Sequence, residues 1–265
     1  MRIRSRVRRI VALVALAPLV VAAHAHADEV RVMTSGGFTA ALLELVPEFE
    51  RTTGHKVLTA FGASMGGAPD SIPSRLARGE PADVVILARP ALDDLAAQGR
   101  VLPGTAVDLV RSLMGMVVRA GARKPDISSV DALKHTLLEA RSIAYSASAS
   151  GVYLSTELFP RLGIADQIRG KSRRIESERV AAVVARGEAE IGFQQISELL
   201  PVPGVDYVGP LPEGAQQATI FSAAIAAGAR APDAARALVR FLSSSAAFPV
   251  IRKSGLEPAA PYGNR

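Results

Sequence analysis

Hydrophobic positions follow two alternating periods along most of the chain. Residues 30–34 and 83–87 are short, almost continuous apolar runs, which predict buried strands. In residues 38–53 apolar side chains recur every three to four positions, which predicts a helix that Gly54 ends in a left-handed conformation. Hydrophobic residues make up 49% of the chain and aromatic residues only 5%, a composition that suits parallel strands covered by helices. The pattern predicts an α/β fold.

The predicted elements fall into two successive sets, each of which alternates strands with helices. A segment rich in proline and glycine at residues 205–212 interrupts the alternation and is expected to be a connection. Two α/β lobes are therefore indicated. The predicted strands are 30–34, 56–61, 83–87, 114–118, 143–146, 173–176, 191–194 and 218–226, and the predicted helices are 38–53, 71–78, 90–98, 130–138, 152–162, 180–186, 232–243 and 245–253.

The first 27 residues have the pattern of a signal peptide. Five arginines lie within residues 1–9, an apolar run of twelve residues spans 10–21, and Ala25-His26-Ala27 is an A-x-A cleavage site. The apolar run is shorter than the roughly 20 residues that cross a membrane as a helix. We therefore expect a periplasmic protein that begins near Asp28 and has no membrane anchor.

Loss of that segment removes most of the net charge. The chain has 31 Lys and Arg against 25 Asp and Glu, and the five arginines of the signal leave 26 against 25 in the remainder. A nucleic-acid partner, which needs a clustered basic surface, is therefore not expected. The chain has no cysteine, which excludes a disulfide framework and a lipid-anchored cysteine. We expect a soluble monomer.

Motifs for metals and nucleotides are lacking. His55 and His135 are isolated along the sequence and no cysteine accompanies them, which argues against a zinc site. The chain contains no G-x-x-x-x-G-K-[ST] phosphate-binding loop. We therefore expect neither a metal nor another cofactor.

Two turns that follow predicted strands carry candidate ligand-binding residues. Ser35-Gly36-Gly37 separates the first strand from the first helix, and helix N-termini in that position bind anions. The turn at residues 145–151 contains alternating serines, whose hydroxyls either contact a ligand or cap the following helix. We favour ligand contact, because open α/β sheets bind ligands at the carboxyl ends of their strands.

Arg179 is the candidate for recognition of a carboxylate. It stands at the start of the helix predicted at residues 180–186. A guanidinium stays charged and matches a carboxylate with two parallel hydrogen bonds. The alternative is that Arg179 pairs with Glu176 or Glu178 in its own segment.

Three segments resemble a known family. GEPADVVILA at residues 79–88, about 18 residues beyond the start of FGAS at 61–64, is similar to the G-x-P-A-D-hydrophobic segment of the molybdate-binding proteins of ABC importers. SGVY at 150–153 and GEAEIG at 187–192 fall where that family has similar segments. The resemblance implies the type II periplasmic binding protein fold, an α/β architecture with two lobes and a ligand cleft that closes about a hinge.

The same resemblance implies a division into lobes and a set of partners. Because the chain of such proteins crosses between lobes more than once, residues 28–110 and 211–265 are expected to form one lobe and residues 111–210 the other. The implied partners are a small anionic ligand and, for an importer, an ABC permease.

The family's ligand positions carry over only in part. Family members hold tetrahedral oxyanions with uncharged donors. Ser64 matches the family's second serine, but Gly37 stands where the first is expected and Gln195 stands where the family has a tyrosine. The replaced donors and the added Arg179 favour an organic polycarboxylate over a molybdate-type oxyanion. The predicted ligand-binding residues are Thr34, Ser35, Gly37, Ser64, Ser148, Ser150, Gly151, Arg179 and Gln195.

Two functions remain open from the sequence, and the first is favoured because binding is the more common function among such proteins. One is a periplasmic solute-binding protein that captures a small anion for an ABC importer. The other is that of the aconitate isomerase-like branch of the family, whose activity interconverts cis- and trans-aconitate by proton transfer without a cofactor. For the enzyme, the candidate acid/base groups are Tyr145 and Glu178, followed by His55 and His135.

Overall fold

A computed structural model describes residues 27–259, so the predicted signal peptide, apart from Ala27, lies outside the described residues. The strands are β1 (Glu29–Thr34), β2 (Lys56–Phe61), β3 (Val84–Ala88), β4 (Val107–Ser112), β5 (Met114–Arg119), β6 (Ile143–Ser146), β7 (Ser172–Ile175), β8 (Ile191–Gln195), β9 (Val205–Pro210), β10 (Thr219–Ile225) and β11 (Leu256–Pro258). The helices are α1 (Gly36–Thr53), α2 (Ile72–Ala77), α3 (Arg89–Ala97), α4 (Val130–Glu139), α5 (Ala149–Tyr153), α6 (Phe159–Arg161), α7 (Ala165–Ile168), α8 (Val180–Ala185), α9 (Ile196–Leu199), α10 (Pro232–Leu242) and α11 (Phe248–Lys253).

The strands form two sheets, which confirms the predicted two-lobed α/β fold. The first lobe contains a six-stranded sheet in the order β11-β4-β10-β3-β1-β2, and the second lobe contains a five-stranded sheet in the order β7-β6-β8-β5-β9. Both sheets are mixed rather than wholly parallel. In the first, β10 runs antiparallel to both neighbours, and in the second β5 does the same.

Helices cover both faces of the first sheet. On one face, Phe38, Leu42 and Phe49 of α1 pack in one apolar cluster with α10. On the other face, Leu92 of α3 packs in a cluster with α2. Gly54 has φ of 78° and its N–H bonds the carbonyl of Glu50, so the predicted left-handed end of α1 is confirmed.

The structure corrects three sequence predictions. Residues 205–210 of the expected connection are β9, an edge strand that pairs with β5, and sheet edges tolerate proline. Strand β4 was missed because Asp108 and Arg111 interrupt its apolar run. The helix predicted at 152–162 starts earlier, at Ala149, and passes through a π-helical turn at Leu154–Leu158 between α5 and α6.

The chain passes between the two sheets twice. It crosses first at Leu113, between β4 and β5, and returns through residues 211–218, between β9 and β10. The lobe boundaries expected at residues 110 and 210 stay predictions. Among the described residues no single helix has the length and apolar composition to span a membrane. Pro232–Leu242 and Ser245–Lys253 reach that length and composition only together, and they are bent by 58° relative to each other.

Candidate functional site between the two lobes

A cavity of about 400 Å³ lies between the lobes and draws residues from both. The first lobe contributes the start of α1 and the end of β2. The second lobe contributes the turn after β6, the segment before α8, and the region where β8 meets α9. The carboxyl ends of these strands and the helix starts that follow them therefore face one space, as expected for an α/β ligand site.

The N-terminus of α1 offers uncharged hydrogen-bond donors to this cavity. Ser35 precedes the helix and is only 2% exposed, yet its Oγ has no hydrogen-bond partner among the described residues. Its N–H donates to the carbonyl of Ile86 at 2.8 Å, which fixes the turn to β3. The first N–H groups of a helix have no intrahelical acceptor and carry the positive end of its dipole. An anion would therefore find a hydroxyl and backbone donors here.

Two glycines allow close approach at this helix start. A Cβ at Gly36 would collide with the carboxylate of Glu198, and a Cβ at Gly37 would collide with the ring of Phe221. The structure therefore leaves no room at Gly37 for the serine that the family resemblance placed there. Gly37 lines the cavity with backbone only, and the free hydroxyl belongs to Ser35.

Arg179 lies directly before α8, lines the cavity and is partly buried. Within residues 27–259 it makes no hydrogen bond and no ion pair. The carboxylates that were its alternative partners are engaged elsewhere: Glu176 accepts from Arg174 at 2.8 Å, and Glu178 pairs with Arg186 at 2.9 Å. The guanidinium is therefore available to an anionic ligand.

Glu198, on α9, lines the cavity and is not among the residues predicted from the sequence. Its Oε1 accepts from Nε2 of Gln194 at 2.9 Å, and Oε1 of Gln194 accepts from the N–H of Val180 at 2.9 Å. Burial raises the pKa of Glu198 to about 7, although the charge of Arg179 and the hydrogen bond from Gln194 lower it. The carboxyl is therefore poised to exchange a proton near neutral pH.

Helix α9 reaches the start of α1 across the cleft. Ser197 donates its hydroxyl to the carbonyl of Gly37 at 2.8 Å, a contact that joins the second lobe to the first. The neighbouring Glu198 is thereby placed beside Gly36. A signal for it existed in the sequence, since Glu198 is an acidic residue in an apolar segment directly after a buried strand.

The turn after β6 brings two of the predicted serines to the cavity. Ser148 precedes α5 but makes no side-chain cap hydrogen bond, and Ser150 is buried at the cavity wall. Ser146 accepts from the N–H of Ser148 at 3.0 Å and holds the turn. Gly151 does not line the cavity, and a Cβ there would collide with the carbonyl of Ser146.

Three other predicted ligand residues have their polar groups occupied within the protein. Thr34 is buried and donates to the carbonyl of Ser35 at 3.3 Å, and the buried Oγ of Ser64 accepts from the N–H of Ala88 at 2.9 Å; neither lines the cavity. Gln195 does line it, but its Oε1 accepts from Ser112 at 2.8 Å and its Nε2 donates to Thr219 at 2.9 Å. Because those partners end β4 and begin β10, Gln195 joins the two crossings between the lobes.

The acid/base candidates from the sequence are less well placed than Glu198. Tyr145 packs edge-on against Phe159, with ring centroids 5.8 Å apart, and does not line the cavity. Glu178 lines it, but is exposed and ion-paired. His55 accepts from the N–H of Asp28, and His135 is exposed on α4; neither lines the cavity.

Among residues 27–259, no group of three or more His, Cys, Asp or Glu side chains is arranged to hold a metal ion. Of the charged side chains that line the cavity, Arg179 and Glu198 are partly buried, whereas Asp70, Glu176 and Glu178 are exposed. The arrangement can therefore bind an anion from both walls and offers one partly buried carboxyl beside it.

Comparisons with known proteins agree with this architecture. Residues 30–257 match the family described as bacterial extracellular solute-binding protein. The chain is 51% identical over 227 residues to an aconitate isomerase of a Pseudomonas species, with 86% of this chain and 87% of that protein covered. It is 29% identical over 253 residues to the molybdate-binding protein ModA of Azotobacter vinelandii, with 91% and 95% covered.

The solved structure of the periplasmic molybdate-binding protein of Azotobacter vinelandii has the same fold. It superposes with a TM-score of 0.70 at 22% sequence identity and covers 88% of this chain and 99% of its own. The predicted resemblance to molybdate-binding proteins is thus confirmed, and so is that to the aconitate isomerase branch. The chain belongs to the bacterial extracellular solute-binding proteins, with the two-lobed fold of their molybdate-binding-like type II members.

Proposed function

We propose that this protein is a periplasmic enzyme that binds aconitate in the cleft between its lobes and interconverts the cis and trans isomers without a cofactor. The observation that carries the proposal is the unpaired guanidinium of Arg179 in a cavity whose opposite wall is the start of α1. The 51% identity to an aconitate isomerase supports the choice of ligand. The signal-peptide pattern of residues 1–27 supports the location.

The two walls suit a ligand with several carboxylates. Arg179 offers two parallel hydrogen bonds to one carboxylate from the second lobe. Ser35 and the first amides of α1 offer neutral donors to another carboxylate from the first lobe. Ser148 and Ser150 add hydroxyls at the same cavity. Since these donors belong to both lobes, a bound tricarboxylate would hold the lobes together, as hinge closure around a ligand requires.

The reaction needs only a proton transfer. A base removes a proton from the methylene carbon next to the double bond, and that C–H electron pair forms a new double bond to the central carbon. The former double bond supplies the electron pair that takes up a proton at the other end of the three-carbon unit. Nothing is oxidised or reduced, and the product is aconitate again, with the geometry of the new double bond free to be cis or trans.

Delivery of an anion to an ABC permease is the second candidate function. The family match and the likeness to ModA favour it, and it would use the same cavity, a small anionic ligand and a monomeric protein. It differs from the enzyme in one respect, since a transport protein releases its ligand unchanged.

Incubation with each isomer separates the two functions. The full chain is expressed, and the exported protein is purified and mixed separately with cis- and trans-aconitate without added cofactor. Proton NMR is expected to show the other isomer in each sample, and both samples are expected to reach the same final ratio. Thermal unfolding with aconitate, citrate, molybdate and tungstate measures binding in parallel. A shift in melting temperature with no new isomer would overturn the enzyme and leave the transport function.

A further inference from the structure

We propose that Glu198 is the group that removes the allylic proton of the substrate and returns it to the other end of the double-bond system. The assignment rests on the proposed function and adds the residue that performs its chemical step. It is carried by the position of Glu198 in the cavity, by its contact with the start of α1 and by its fixed hydrogen-bond partner.

The position distinguishes Glu198 from the other carboxylates of the cavity. Asp70, Glu176 and Glu178 also line it, but all three are exposed. Glu176 and Glu178 are in addition held by arginines. An exposed, ion-paired carboxylate is a weak base, because its charged form is stabilised by solvent and by its partner. Glu198 is partly buried and has no ion pair within hydrogen-bonding distance among the described residues.

The orientation of the carboxyl is set by Gln194. The amide oxygen of Gln194 is fixed by the N–H of Val180, so its NH₂ group must point at Oε1 of Glu198. No described residue hydrogen-bonds Oε2 of Glu198. One oxygen is therefore held and the other is open to a substrate proton, which is how a general base is prepared. In this arrangement Gln194 is a positioning residue.

The surroundings of Glu198 suit both halves of the transfer. From α8 the Arg179 charge acts on Glu198, and from β8 the Gln194 amide donates to it. From α1 it meets the backbone at Gly36, whereas β5 packs on α9 through Gly115 against Ile196. Burial opposes ionisation while Arg179 and Gln194 favour it, so both protonation states are accessible near neutral pH.

One carboxyl can serve both steps. The two carbons that exchange the proton are separated by a single carbon, so a carboxyl on one face of the substrate reaches both. Oε2 accepts the methylene proton as the base, and the resulting carboxylic acid donates it at the other carbon. Glu198 ends in its starting state. The negative charge that develops on the substrate lies between Arg179 and the start of α1, where it is stabilised.

The test is Glu198→Gln, which keeps the size of the side chain and removes its basicity. With cis-aconitate as substrate we expect kcat to fall about 10²- to 10⁴-fold, the usual contribution of a general acid/base. The trans-aconitate-induced rise in melting temperature should persist. Glu178→Gln tests the rival carboxylate. Glu139→Gln, at an exposed position of α4 far from the cavity, is the control and should keep the wild-type kcat.

The outcomes separate this assignment from the proposed function. If the wild type interconverts the isomers and Glu198→Gln does so within about threefold of it, Glu198 is not the proton-transfer group, while the proposed function stands. If Glu178→Gln alone loses activity, the role belongs to Glu178. If the wild type forms no new isomer, both proposals fail.

A second variant covers the case in which the glutamine variant does not fold. Glu198→Asp keeps a carboxyl but retracts it by one methylene group. We expect kcat to fall about 10²-fold with binding of trans-aconitate retained, because proton transfer depends on distances of that size. An aspartate variant with the wild-type kcat would overturn the assignment.

Discussion

The two walls of the cleft use different chemistry toward an anion. The first lobe presents the start of α1, where Ser35 and backbone amides are neutral donors. The second lobe presents the charged guanidinium of Arg179 and the ionisable carboxyl of Glu198. Neutral donors suit any compact anion, whereas a guanidinium selects a planar carboxylate and a buried carboxyl can move protons. The second wall therefore carries the specificity and the chemistry of the proposed function.

The largest expected effect is on stability and comes from the second wall. The folded-state pKa of Glu198, about 7, lies above the ordinary value of 4.5, so between these pH values the native state holds a proton that the unfolded state releases. Stability contributed by this group is therefore lost as the pH rises through that window. We expect Glu198→Gln to be more stable than the wild type by roughly 3 kcal/mol at about pH 8.

The control for this prediction is pH itself. At about pH 4 the carboxyl is protonated in the native state and mostly protonated in the unfolded state, so the two proteins should unfold nearly alike. Chemical denaturation at both pH values measures the difference. Equal free energies of unfolding at about pH 8 would show that Glu198 ionises without cost and would weaken the contrast between the walls.

The next effect is on binding. Arg179→Met should lower the affinity for trans-aconitate by about 1.5–3 kcal/mol, the range for hydrogen bonds to a charged group. Since Arg179 lowers the pKa of Glu198, the variant should also need a higher pH to ionise it. The rise of kcat/KM with pH should then move upward, because the base must be ionised to act.

Two arginine variants sharpen this result. Arg179→Lys keeps the charge without the planar fork, so it should restore the pH profile more fully than the affinity. Arg169→Met removes an exposed arginine that pairs with Asp166 away from the cavity, and it should leave the affinity unchanged. Isothermal titration and pH–rate profiles measure both. Unchanged affinity in Arg179→Met would remove Arg179 from the site.

The smallest effect tests the first wall. The Oγ of Ser35 has no partner in the described part of the chain, so Ser35→Ala should change the free energy of unfolding by less than about 0.5 kcal/mol. Affinity for trans-aconitate should fall by about 0.5–1.5 kcal/mol.

Ser129→Ala is the matched control, because Ser129 caps α4 by accepting from the N–H of Ala132 at 3.1 Å. It should lose about 1 kcal/mol of stability and no affinity. The reverse pattern would contradict a ligand role for Ser35.

The periodicity of apolar residues predicts most of the fold, because buried strands and amphipathic helices each have a characteristic local spacing of apolar side chains. The strands expected at 56–61 and 143–146 have those bounds in the structure. Strands β4 and β9 were missed because a polar interruption and an edge position remove the local pattern. The mixed direction of both sheets depends on long-range pairing, which spacing does not encode.

The candidate site was less accessible from the sequence. Arg179 stood out because a guanidinium at a helix start has a specific chemistry. Glu198 did not, since its importance comes from burial and from contacts across the cleft that only the folded chain shows. Gln195 was predicted to bind ligand because it stands where the family has a tyrosine. In the structure Ser112 and Thr219 occupy its side-chain amide.

The Gln195 amide has a mechanical consequence. Two backbone segments connect the lobes. If the two segments moved independently of each other, the lobes could shift and rotate in several directions. Gln195 hydrogen-bonds the ends of both segments and so couples them. If the lobes move, we expect this coupling to favour rotation about one axis through the two segments. Arg179 and the start of α1 would then approach each other along one path, which would keep the two walls aligned.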